Sequence, residues 1–200
     1  MTIQIKRGDN YNQESLIGTV NELFYTAFKE KFVYKLFSEE MTIRISSLFS
    51  EYICKNKPNL LIIAEIDENI MGCAFMINHK ESYYDFKYLI KKQLSLKNRI
   101  KLFLFFSFFS HKVTKEELYI EFLSVLPHYR NKGVGQKLIN ACKNQAMDKK
   151  LTLYVAMDNV PALRLYKKEQ FQTVKTESSR IGKFFTGIKE WEFMEWWAIE

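Results

Sequence analysis

The chain has 200 residues, of which 47% are hydrophobic and 26% charged, enough apolar mass for a single domain over 1–200 with a substantial core. Its three cysteines (Cys54, Cys73, Cys142) and three histidines (His79, His111, His128) have no ligand spacing. They argue against a disulfide framework or a metal and for a reducing, cytoplasmic setting. The net charge of +7 is concentrated in one segment with no recognition motif beside it, which argues against a nucleic-acid reader.

Residues 1–7 hold no apolar core of signal-peptide length, so export is not indicated. Residues 3–7 read as a first strand that ends at Gly8-Asp9-Asn10. A helix follows over 13–28, with Leu16, Val20, Leu23, Phe24, Ala27 and Phe28 on one side, and a second spans about 42–55. Two apolar runs, 60–66 and 70–77, flank Asp67-Glu68-Asn69 and read as a hairpin.

Residues 80–116 carry nine Lys/Arg against three acids, a local charge of +6. Helical patterns over 83–92 and 94–109 make this an α-helical segment, since a structureless loop of that length is rare in a compact domain. Its Phe-rich run, 102–109, is far too short for the roughly 20 residues a bilayer demands, so no membrane span is expected. Docking on an anionic membrane surface, a buried helix, a cleft lid and a homodimer contact stay open. With the phenylalanines packed inward or across a dimer contact, the lysines are left solvated and able to draw anionic acceptors toward a cleft.

Residues 118–125 form a strand stopped by Pro127, which cannot donate a ladder hydrogen bond. The turn Arg130-Asn131-Lys132-Gly133-Val134-Gly135 then leads into a helix over 136–147, whose stripe is Val134, Leu138, Ala141 or Cys142, and Ala146. Free N–H donors at such a helix start, flanked by Arg130 and Lys132, form an anion site suited to a diphosphate. It is neither a Walker loop nor a dinucleotide fingerprint, because Leu138 stands where the third glycine would be. Taken alone the turn also reads as an ordinary strand-to-helix connection.

A strand over 151–156 leads through Asp158-Asn159, either of which can cap the next helix, into 160–168, with Pro161 in the first turn. Asn159, Ala162 and Tyr166 share one face. The tail reads as a strand over 171–177, a polar loop through Ser178-Ser179-Arg180 with Gly182 and Gly187, and a last strand over 188–197. The aromatic residues of that strand, Trp191, Phe193, Trp196 and Trp197, are expected mostly in the core.

The pair R-x-x-G-x-G (130–135) and N-x-x-A-x-x-x-Y (159–166) resembles the signature of the GNAT superfamily of acetyl-CoA-dependent N-acetyltransferases. The residue before Phe171 is Gln170, where that family often has glycine. The resemblance implies an α/β (α+β) fold, with a mixed central sheet of about seven strands flanked by helices, and makes 80–116 a helical insertion between strands 3 and 4. It implies acetyl-CoA as cosubstrate, with the diphosphate on Arg130, Asn131, Lys132, Gly133, Val134, Gly135 and Gln136. The pantetheine arm and oxyanion fall along Leu123, Ser124 and Val125, and Asn159, Ala162 and Tyr166 complete the coenzyme site.

Acyl transfer to an amine needs a neutral amine, a steadied oxyanion and a protonated leaving thiolate. By the resemblance Tyr166 is the acid. Glu121, or a water chain on the same strand, is the base, with Glu121 expected on the face of Tyr119 and Leu123. A glutamate among apolar neighbours implies a cleft or a salt-bridge partner. The acceptor is read as a small-molecule primary amine, with Phe28, Phe32, Tyr34, Phe37 and Tyr84 lining either the cleft or the core. A protein amine, or a non-catalytic acyl-CoA-binding module, are the competing readings.

Overall fold

The computed structural model describes residues 2–33, 36–81, 84–107 and 111–198, with the backbone alone at 33, 84, 85 and 107. The first strand, β1 (Gln4–Arg7), precedes two long helices, α1 (Gln13–Val33) and α2 (Glu39–Asn56). α2 begins three residues before its apolar stripe does, because the Ser38 hydroxyl accepts a hydrogen bond from the Met41 N–H at 3.3 Å and Glu39 and Glu40 occupy the positive end of the helix dipole. The hairpin β2 (Leu61–Ile66) and β3 (Asn69–Ile77) turns through Asp67 and Glu68, with φ of 48° and 65°. Two left-handed residues in succession match the twist of a two-residue hairpin, at a cost to side chains other than glycine.

The insertion is helical, as expected. α3 (Tyr84–Gln93) and α4 (Leu96–Ser107) bring Phe86, Leu102 and Phe105 into the core, with Leu94 buried between them. Phe105 stacks on Phe32 at 4.1 Å between ring centroids. Phe103 instead faces outward and is 68% exposed, beside exposed Leu96 and Ile100. The inward packing therefore holds for part of the run only, and Phe108 and Phe109 lie outside the described residues.

The remaining elements are β4 (Glu117–Val125), α5 (Val134–Gln145), β5 (Lys150–Ala156), α6 (Val160–Lys168), β6 (Gln172–Ser178), α7 (Arg180–Thr186) and β7 (Glu190–Trp196). α7 corrects the expected polar loop. The Ser179 hydroxyl caps it by accepting from Gly182 N–H at 2.8 Å, and Gly187, left-handed at φ 80°, ends it.

The seven strands form one sheet in the order β1-β2-β3-β4-β5-β7-β6. All neighbours are antiparallel except β4 and β5. Helices α1 to α4 cover one face, where Leu23, Phe24, Phe49, Phe75 and Phe122 pack together. α5 and α6 cover the other, over Met71, Ala74, Ile120, Leu153 and Met194. The last strand is less buried than expected, for Trp197 is 51% exposed, lying under the Lys150 ammonium at 4.3 Å.

Candidate functional site

The parallel pair β4 and β5 is hydrogen-bonded only from Glu117–Ile120 to Lys150–Leu153. Beyond that the strands part, β4 staying with β3 up to Val125 and β5 with β7 up to Ala156. The gap opens into a cleft of about 1240 Å³. Leu123, Ser124 and Val125 line one wall and Tyr154, Val155 and Ala156 the other. Ser124 donates its hydroxyl hydrogen to the Leu23 carbonyl at 2.9 Å, which ties β4 to α1 at the head of the opening.

Glu121 sits at a β-bulge. Met76 pairs with Ile120 and Phe75 with Phe122, leaving Glu121 as the extra residue on β4. The bulge reverses the alternation of faces. Tyr119 and Phe122 pack toward α1 and α2, whereas Ile120 and Leu123 pack toward α5. Tyr119 and Leu123 thus occupy opposite faces, contrary to the simple alternation read from sequence. Glu121 opens on the cleft and, among the described residues, has no ion-pair partner. Burial pushes its carboxyl up to about 7, the range of a base working near neutral pH.

At the other end of the opening the turn before α5 is shaped by two left-handed residues, Asn131 at φ 60° and Gly133 at φ 82°. Gly133 is the N-cap and no side chain caps the helix, so its first N–H groups are available to an anion. Gly135 marks a close approach to α6, since a Cβ there would lie 2.9 Å from Leu165 Cδ2 and the end of that side chain would have to shift. Arg130, Asn131, Gly133, Gly135 and Gln136 all line the cleft. Arg130 donates from Nε to the Val125 carbonyl at 3.1 Å.

Three residues of the expected diphosphate set stand differently. Val134 is buried in the core, so its N–H alone faces outward. Lys132 turns its ammonium over the Tyr129 ring at 5.7 Å, and the Gln136 side chain donates to Glu169 at 2.7 Å. The turn therefore presents backbone and Arg130 more than a set of charged side chains.

Asn159 caps α6, accepting from the Ala162 N–H at 3.4 Å, which decides between the two candidate caps. Asn159, Ala162 and Tyr166 line the cleft together. Tyr166 is 8% exposed and packs at a tilt against Phe171, 5.6 Å between ring centroids. Burial raises its phenol well above the ordinary value, so it stays protonated at neutral pH and available as a donor.

The end of the cleft nearest α1 is aromatic. Phe28 and Phe32 line it, with Phe32 only 1% exposed and Phe28 half-buried against Phe24 at 4.6 Å. Phe37 belongs to the core. Tyr34 and the Tyr84 side chain lie outside the described residues.

Sequence reasoning missed Lys31, Tyr154, Glu177 and Trp191, which line this end as well. The Tyr154 hydroxyl donates to Glu177 at 3.1 Å, and burial, with Glu177 next, pushes the phenol up to about 12. The Lys31 ammonium lies between the rings of Phe28 and Trp191. Among the described residues no cluster of His, Cys, Asp and Glu could hold a metal ion, and no helix is long and apolar enough to cross a membrane.

The model of the acetyltransferase (GNAT) family matches residues 25–171. No curated protein matches the chain. Among solved structures, an N-acetyltransferase from Staphylococcus aureus Mu50 superposes with a TM-score of 0.68 at 17% identity, covering 96% of this chain and 100% of that one. A protein described as histone acetyltransferase HPA2 and related acetyltransferase, from Corynebacterium glutamicum, gives 0.66 at 15% identity over 98% and 96%. A chain of the NatC complex bound to Gag peptide and CoA gives 0.61 at 17% identity over 98% of each. At these identities the structures show a shared fold.

Proposed function

Since the chain belongs to the acetyltransferase (GNAT) family, we propose that it transfers an acetyl group from acetyl-CoA to the primary amine of a small molecule, by direct attack within a ternary complex. One observation carries this reading. The uncapped start of α5, the parted edges of β4 and β5, Tyr166 and Glu121 all open on the same cleft, although they arise from separate elements.

The coenzyme supplies a thioester whose carbonyl is open to attack and whose thiolate is a good leaving group. Free N–H groups at the α5 start, with Arg130, hold the diphosphate. The unpaired edge over Leu123–Val125 offers N–H groups to the pantetheine arm and to the developing oxyanion. Asn159 and Ala162 border the arm from α6. Glu121, uncompensated by a cation, receives the proton of the incoming ammonium directly or through water. Tyr166 donates its phenolic proton as the thiolate departs.

Incubation with acetyl-CoA and a panel of amines, read as free thiol, tests the proposal. Thiol release on a small amine supports it. Release only on a peptide with a free N-terminus moves the acceptor to a protein amine, and binding without release on any amine leaves a coenzyme-binding module.

A further inference from the structure

Lys31 is a cation in the wrong place for a simple surface role. It lies near the end of α1, between Phe28 and Phe32 of the apolar stripe, and its side chain lines the cleft. Nζ is 5.0 Å from the centroid of the Phe28 ring and 5.2 Å from that of Trp191. Among the described residues no carboxylate comes within ion-pair distance of it. Glu30 and Asp158 act on it only from farther away.

The two rings belong to opposite walls of the opening. Phe28 lies against Phe122 at 6.3 Å between centroids, and Phe122 sits between Glu121 and Leu123 on β4. Trp191 pairs with Ala156, the last residue of β5. The amine therefore lies in the same cleft as the parted strand edge where the thioester is proposed to lie. Ring contacts of this kind are weak, and the four-carbon stem can swing between them and the gap.

We propose that Lys31 is itself an acetyl acceptor of this enzyme, modified within its own cleft when acetyl-CoA is bound and no external amine competes. The inference rests on the acetyltransferase reading above. In the step, the neutral Nζ attacks the thioester carbonyl, so that a C–N bond forms and the C–S bond breaks. The surplus proton on nitrogen passes to Glu121 or to water, and the thiolate takes one from Tyr166. The products are Nε-acetyl-Lys31 and free coenzyme A, with no further reactant. The step needs an uncharged amine, and burial lowers the Lys31 ammonium to about 8, which enlarges that fraction at neutral pH relative to a solvated lysine.

The test is intact mass and peptide mapping of the full chain incubated with acetyl-CoA and no amine. One acetyl group on Lys31 is expected, gained at a rate independent of protein concentration, absent from Lys31→Arg and slowed at least about tenfold in Glu121→Gln. A second readout uses no coenzyme. Trace labelling with acetic anhydride is expected to modify Lys31 ahead of the exposed Lys97. An unmodified Lys31 in a protein that acetylates free amines overturns the inference and leaves the function standing, as does acetylation confined to exposed lysines. A protein that does not bind acetyl-CoA at all overturns both.

Discussion

The side of the cleft proposed to hold the coenzyme is assembled from four consecutive elements, β4, α5, β5 and α6, whereas the side proposed for the acceptor draws Phe28 and Lys31 from α1, Phe105 from α4, Glu177 from β6 and Trp191 from β7. The first works largely through backbone. Its features are an uncapped helix start, a left-handed Gly133, a close approach at Gly135 and a strand edge without a partner. The second works through side chains brought together by tertiary packing. A scaffold divided this way can keep one donor while its acceptor changes, because the donor side depends on few side-chain identities.

If that division is right, damage to the two sides separates by observable. The largest effect is expected on the shared chemistry. Glu121→Gln should lower kcat/KM by about 10²–10⁴ and remove the limb along which the rate of the native enzyme rises with pH. That limb reflects loss of the Glu121 proton near pH 7, so activity falls below it and is retained above. The same change removes an ionised carboxylate from a site where, among the described residues, it has no ion-pair partner. Thermal melting above pH 7 should therefore show a gain of about 0.5–2 kcal/mol.

Phe105→Ala probes the acceptor side. Phe105 is 1% exposed and stacked on Phe32, so its truncation should cost about 3–5 kcal/mol in urea unfolding. Where the variant is still folded, calorimetry should find its affinity for acetyl-CoA close to native. Arg130→Ala probes the other side, weakening coenzyme affinity by about 1–3 kcal/mol while leaving stability within about 0.5 kcal/mol. The smallest effect belongs to Lys91→Ala with Lys92→Ala. These exposed lysines lie outside the cleft lining, and Lys92 rests over Tyr88 at 4.6 Å. A change of less than about twofold in kcat/KM is expected at physiological salt, where a Debye length of about 8 Å screens exposed charges.

The same contrast decides what could be read from the residues. The α5 turn and α6 are local in sequence, so motif spacing located Gly133, Gly135, Asn159 and Tyr166 on one cleft. The insertion was legible through its charge and its helical periodicity. Lys31 was not, because it interrupts the apolar stripe of α1, three residues after Phe28 and just before buried Phe32, and a lysine in a charged run Lys29-Glu30-Lys31 reads as solvated. α7 was read as a loop since Gly182 sits inside it, although Ser179 three residues earlier carried the capping signal. The face of Glu121 depended on a bulge opposite Phe75 and Met76, a register fact that no single strand contains. Trp191 and Trp197 looked like core by residue type, yet one borders the cleft and the other is half exposed under the Lys150 ammonium.

In the proposed mechanism Tyr166 serves the departing thiolate on a scaffold that binds the coenzyme without it. Titration of acetyl-CoA into Tyr166→Phe by calorimetry, followed by thiol-release kinetics on an amine that the native enzyme accepts, tests this most directly. Affinity within about twofold of native and a kcat reduced by about 10² or more are expected. A variant that turns over at the native rate, or one that loses the coenzyme altogether, would contradict it.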